Sequence, residues 1–283
     1  MDYRLSTMDC KGSLLIIAIW ALTTFSILGI GISRITSSQL RLAGRFEDRV
    51  VSAALAHAAV RHAWALRQDD ETPYETMQEL RAEQRQELGR GAFRYTLLDE
   101  ESRLPLNRAT QEMLARVPGL TLDGAVAVTS ATLRPFHVKE ELRLVEEVAE
   151  PMVQQAGPFL TVYGSGAVNI NTAAPEVLRA LGLDDRLAEL IVAFRTGEDG
   201  EAGTADDGAF EEAGTIVETL RSTGPLFAAQ EAALIQLISQ GLLGVRSTTF
   251  TLMVDTTVVG RAAQRYAIVL DAREGRVKQW VEQ

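Results

Sequence analysis

The 283-residue sequence contains a single cysteine, Cys10, so no intramolecular disulfide can form, and because Cys10 lies ahead of the long apolar run the rest of the chain has no cysteine-based zinc or nucleophilic site. Histidine is almost as scarce. Two of the three, His57 and His62, lie five residues apart, about 140° around a helix, and do not share a face. With His137 far along the chain, a histidine metal site has no basis. Basic residues are few where acidic ones are dense: residues 105–244 hold nine Lys or Arg against twenty Asp or Glu, a balance of −11, and the remainder is close to neutral. Such a region repels a phosphate backbone and can attract a divalent cation. A catalytic serine is also missing, because Ser165 in Gly164-Ser165-Gly166 has neither a nucleophile-elbow context nor a histidine partner. The pairs Glu140-Glu141 and Glu146-Glu147, spaced with Arg143, read as a solvated face. No catalytic residue is assigned, and the chain reads as a non-enzyme.

What the sequence does have is a long hydrophobic run. Between Lys11 and Arg34 lie twenty-two residues without an ionisable side chain. As a helix at about 1.5 Å per residue they span about 33 Å, enough for the hydrocarbon core of about 30 Å. No small-residue cleavage pattern follows at 31–36, so the run reads as a retained span and not as a removed secretory signal. Arg4 and Lys11 on the short leading flank orient the N-terminus to the cytoplasm, with the bulk of the chain outside it.

Residues 34–68 contain no proline and continue as a helix, with a small-residue stretch at 53–60 that permits close approach of a packing partner. Residues 69–73 end that helix, and 77–88 reads as a short polar helix. The stretch 92–98 is strand-like, as are 245–254, 264–271 and 276–281, with turns at 255–260 and 274–275. The interval between reads mostly helical and contains a repeat. Leu106-Asn107-Arg108-Ala109-Thr110-Gln111-Glu112-Met113-Leu114 matches Ile170-Asn171-Thr172-Ala173-Ala174-Pro175-Glu176-Val177-Leu178 at Asn, Ala and Glu, with apolar residues at the ends. Each copy reads as an extended entry, an Asn/Thr cap and a short amphipathic helix stopped by Gly119-Leu120 or Gly182-Leu183.

Two features together carry a family resemblance. A short basic leader ending in Lys11-Gly12 before an unbroken apolar helix resembles the leader of prepilins and pseudopilins. The run Phe159-Leu160-Thr161-Val162-Tyr163-Gly164-Ser165-Gly166-Ala167-Val168-Asn169-Ile170-Asn171-Thr172-Ala173, followed by Pro175 and Glu176, resembles the general secretion pathway protein K family of type II secretion minor pseudopilins. The resemblance implies an α+β, pilin-like fold. Its parts would be a leader (1–12), a transmembrane helix (13–33), a spine helix (34–68), the first part of a small antiparallel sheet (69–104), a mostly helical insert of SAM-like or helix-hairpin-helix-like repeats (105–244) and a C-terminal β-meander (245–283). It also implies cleavage by a prepilin peptidase between Gly12 and Ser13, single-pass residence in a bacterial inner membrane with the C-terminal part in the periplasm, and a structural role in protein secretion. Partners would be the minor pseudopilins I, J and H and the major pseudopilin.

Counting from Ser13, the fifth mature residue is Ile17, where most of the pilin class carries a glutamate that meets the amine of the neighbouring subunit. Without that carboxylate the subunit suits the end of a fibre, where no subunit lies above.

The loop 196–210 carries five carboxylates, four glycines and no basic residue. Hard Ca²⁺ takes six to eight oxygens, which carboxylates and Gly-turn carbonyls supply, although the spacing is not that of an EF-hand. The K family bears a similar loop and binds calcium, so the resemblance implies Asp199, Asp206 and Asp207 as ligands, with Glu201 and Glu198 as further candidates.

The alternative from another class is a membrane-anchored helix-hairpin-helix DNA-binding protein. Gly119-Leu120-Thr121 and Gly182-Leu183-Asp184 lack the second glycine and the lysine of such hairpins, and Asp184-Asp185 stands where phosphate would come. Nucleic acid is therefore not expected as a partner.

Overall fold

In the computed structural model of the chain, residues 11–69, 72–200, 204, 206–258 and 263–283 are described. Leader residues 1–10, the candidate ligand Glu201 and part of the turn expected at 255–260 lie outside them. Helix α1, Lys11–Asp69, opens the described chain, with Gly12 and Ser13 in its first turn. The described residues up to Ala53 and those from Ala54 onward form separate compact units. In the first, apolar side chains such as Trp20, Phe25 and Ile27 are all more than two-thirds exposed. Among the described residues this one helix is long and apolar enough to cross a membrane.

The second unit begins with the last turns of α1. Its small residues do what their size allows: Ala56, Ala59 and Ala63 are fully buried, so the helix lies close to a sheet. An added Cβ on Gly91 of that sheet would stand 2.6 Å from a Leu55 methyl. His62 Nδ1 and the Tyr95 hydroxyl share a hydrogen bond of 2.8 Å, the Trp64 indole N–H donates to the Ala272 carbonyl, and the His57 ring sits 4.5 Å from the Trp280 ring. The small-residue stripe thus serves the chain's own sheet.

Helix α2, Pro73–Arg81, starts with Pro73 at a position needing no N–H and a reciprocal Thr72–Glu75 capping box. It ends earlier than the sequence suggests. Residues expected to prolong it form strand β1, Gln84–Leu88, which pairs antiparallel with β2, Gly91–Asp99. The open edge of β2 supplies backbone partners that outweigh local helix preference, and β1's polar residues suit an exposed edge.

After β2 come a short strand β3 (Leu104–Pro105), helices α3 (Gln111–Ala115), α4 (Leu122–Ser130) and α5 (Glu150–Ala156), and strands β4 (Leu160–Thr161) and β5 (Val168–Asn169). Helices α6 (Pro175–Ala180), α7 (Asp185–Arg195), α8 (Ile216–Thr223) and α9 (Ala228–Ser239) and strand β6 (Leu243–Gly244) complete the insert. The chain then adds β7 (Thr249–Val258), β8 (Gln264–Asp271) and β9 (Arg276–Glu282) to a five-stranded antiparallel sheet of order β1-β2-β7-β8-β9. The strand expected at 245–254 starts at Thr249, because Val245 belongs to the helical core and Ser247 and Thr248 are engaged in the contacts described below. Asp99 pairs with Phe250. The helical part therefore replaces what would be a hairpin turn between β2 and β7, and its two ends meet at adjacent backbone positions.

The repeat extends well beyond the nine residues visible in sequence. β3 pairs in parallel with β4 (Leu104 with Leu160), and β5 with β6 (Val168 with Leu243). The Leu106 N–H donates to the Thr161 carbonyl and the Ile170 N–H to the Gly244 carbonyl, both at 2.8 Å. Asn107 binds both the N–H and the C=O of Phe136, and Asn171 does the same to Phe210. Arg134 donates to the carbonyls of Leu106 and Ala109, as Arg195 does to those of Ile170 and Ala173. The insert is thus two copies of one unit, roughly 104–161 and 168–244, around a shared apolar core. Gly182, at φ 102°, stops α6 as expected, directly after its C-cap Leu181, whereas α3 already ends at Ala115 and Gly119, at φ 85°, sits in the turn that follows. The asparagines are not caps: Thr110 caps α3, Ala174 precedes α6 without a side-chain bond, and each asparagine instead crosslinks distant backbone.

Candidate functional site

Three consecutive acids at the end of β2, Asp99, Glu100 and Glu101, are no more than 5% exposed and join the sheet to the insert. Asp99 caps a 3-10 turn by accepting the Glu101 N–H, and its other oxygen accepts from Asn169, Thr172 and Ser247. Glu100 accepts from Arg103, Thr161 and Thr251. Glu101 accepts from the Thr248 N–H and hydroxyl, both at 2.7 Å, and from the Ser165 hydroxyl. Buried carboxylates persist only when their oxygens are satisfied, and here donors from three segments, 101–103, 161–172 and 247–251, converge on them.

Four of those donors, Thr161, Ser165, Asn169 and Thr172, belong to the 159–173 run. That run is therefore a clasp: its polar residues grip the acids while Leu160, Val168 and Ile170 are fully buried. Gly164, at φ 96°, crosses over Glu101, where a Cβ would stand 2.6 Å from Glu101 Cγ. Burial pushes the Asp99 carboxyl up to about 6, opposed by its hydrogen bonds from Ser247 and Thr172. Sequence reasoning missed the three acids. The usable signal was an acidic triplet ending an apolar strand.

The acidic loop occupies a defined place in the duplication. In the first copy Arg134 and Phe136 are separated by Pro135 alone, whereas in the second Arg195 and Phe210 are separated by residues 196–209. The loop is thus an insertion into the second copy. Within it the Asp206 carboxylate accepts the N–H groups of Glu198 (2.7 Å) and Asp199 (3.3 Å) and the Thr204 hydroxyl. The Thr204 hydrogen bond, followed by those N–H groups, holds the Asp206 carboxyl below its ordinary value. The fully buried Asp207 side chain is ion-paired with Arg81 of α2. Among the described residues no three acidic, His or Cys side chains are grouped to hold a metal ion. The donor chemistry suits Ca²⁺; Asp206 and Asp207 meet at the Thr204 hydroxyl, with backbone N–H groups as further partners of Asp206 and Arg81 as that of Asp207.

Other singled-out residues have local roles. Ser165 donates to Glu101, and the His137 N–H donates to Glu141. Both hairpins end in capped helix N-termini, with Thr121 accepting from Gly124 and Asp184 from Leu187 and Gln230. Acceptors thus fill the places a phosphate would need. Ile17 is exposed on α1.

No protein-family model and no curated protein matches the chain. Among solved structures it is similar to a chain in the crystal structure of the GspK-GspI-GspJ complex from the enterotoxigenic Escherichia coli Type 2 Secretion System, with a TM-score of 0.54 and 16% identity, over 84% of this chain and 96% of that one. At that identity the likeness is one of fold: a long apolar N-terminal helix with an antiparallel sheet and further helices, an α+β pilin-like architecture.

Proposed function

We propose that this chain is a K-type minor pseudopilin of a type II secretion system, a structural subunit at the tip of the pseudopilus that helps initiate its assembly. The observation that carries this is the shared architecture over 84% of the chain, joined to the pseudopilin-like start of the sequence. Ile17 in place of an acid supports the tip position. So does the insert between β2 and β7, since a head enlarged in this way stacks poorly along a fibre. Partners by the same reading are the I and J pseudopilins, then H and the major pseudopilin. The chain would reside in the inner membrane with residues after the span in the periplasm.

Prepilin peptidase would cut between Gly12 and Ser13. N-terminal sequencing of the membrane-extracted protein, made with and without that enzyme, is expected to give Ser13 only when it is present. An intact 1–12 beside active enzyme would sink the reading.

The same reading assigns Ca²⁺ to the acidic loop, with Asp199, Asp206 and Asp207 as ligands beside Glu198 and Glu201. Binding would require the loop to exchange the Arg81 guanidinium for the ion. Millimolar Ca²⁺ is then expected to raise the unfolding temperature by roughly 3–8 °C, as for a ligand present at many times its Kd. No shift removes the site.

A further inference from the structure

The helical insert carries a groove that nothing above uses. It lies between α4 and the segment 144–147, with a volume of about 710 Å³. Val126, Leu133 and Leu144 line it and are 42%, 43% and 68% exposed. One exposed leucine is ordinary, but several in one concavity form a patch of the kind that marks a binding surface. The rim is acidic. Asp123, Glu146 and Glu147 also line the groove, and none of the three makes an ion pair among the described residues, although many other acids of the insert are paired with arginines.

From this combination we propose that the groove docks an amphipathic helix of a partner protein, one presenting apolar residues at i, i+3/i+4 spacing with Lys or Arg on their flanks. The apolar side chains Val126, Leu133 and Leu144 can take helix anchors of that spacing, within a lining that also carries Ser130 and Thr132. Three unpaired carboxylates at the margin favour a cationic partner, raise its encounter rate and repel anionic lipid or nucleic acid. The proposal does not depend on the pseudopilin reading.

The test uses the full chain in non-ionic micelles and a fluorescein-labelled Leu/Lys helical peptide of about five turns, followed by anisotropy against an empty-micelle control. A Leu/Glu peptide of the same pattern serves as the charge-reversed probe. Saturable binding of the Leu/Lys peptide is expected, weakened about fivefold in E146Q/E147Q and about tenfold in V126S/L144S. The double variant E211Q/E212Q removes the same charge from exposed positions outside the groove and should stay within about twofold of wild type. The substituted groove side chains are partly or largely exposed, and E146Q/E147Q retains the test should the apolar double variant misfold. The proposal is overturned by an absence of binding above the micelle control, by equal loss in E211Q/E212Q, or by equal binding of the Leu/Glu peptide. Self-association of the chain that disappears in V126S/L144S would assign the groove to a second copy and overturn it as well.

Discussion

Replacing Asn171 with Ala is expected to lower the unfolding temperature of the chain by roughly 10 °C, the largest effect of any single asparagine substitution. Asn171 is 3% exposed, and its amide donates to the carbonyls of Phe210 and Val245, both at 2.9 Å, while its oxygen accepts the Phe210 N–H at 2.8 Å. Truncation leaves three backbone groups unpaired inside the helical core. At about 1–2 kcal/mol each, the loss is roughly 3–6 kcal/mol, and a chain of this size shifts by about 2–4 °C per kcal/mol. Asn107→Ala is the internal comparison: it breaks only the pair with Phe136 and is partly exposed, so its shift should be smaller. Thermal unfolding followed by circular dichroism decides the matter, and equal shifts in the two variants would refute the proposed inequality between the copies.

The second large effect centres on Asp99. Asp99→Ala removes the acceptor for a backbone N–H, an amide and two hydroxyls at the sheet–insert junction, and should cost about 3–5 kcal/mol. The pH dependence carries more information. Burial raises the folded carboxyl to about 6 from its ordinary 3.8, so the folded chain holds a proton that the unfolded chain has lost in that interval. Its contribution to stability is full below pH 3.8 and disappears as pH rises through 6. A difference of that size amounts to about 3 kcal/mol. Asp255 works in the opposite direction, since Arg265 and then Arg94 hold its carboxyl below the ordinary value and its contribution is lost in acid. Wild type minus Asp99→Asn isolates the Asp99 part: wild type should gain stability relative to the variant between pH 7 and pH 5. Parallel profiles would show that Asp99 is ionised throughout.

Several local features were legible from the residues alone. The apolar run, the small-residue face of α1, the Gly182 helix stop and strands β2, β8 and β9 follow from periodicity and turn chemistry that act over a few neighbours. The polar core was not legible. Nothing in the sequence singles out Arg134 and Arg195, yet the structure uses both to bridge carbonyls of the two repeated turns, and burial holds the Arg195 guanidinium down to about 10. Strand β1 read as helix because its only reason to extend is the neighbouring edge of β2.

The amino-acid order by itself determined a membrane-length helix at one end, a strand-forming tail and a duplicated motif between them, because hydrophobic burial imprints its period directly on the chain. Tertiary structure alone decided that Asp99, Glu100 and Glu101 are buried, that the 159–173 run exists to satisfy them, and that the acidic loop is an insertion closed against Arg81. Polar satisfaction pairs groups up to about 150 residues apart, and only the folded backbone brings such donors within hydrogen-bonding distance of their acceptors.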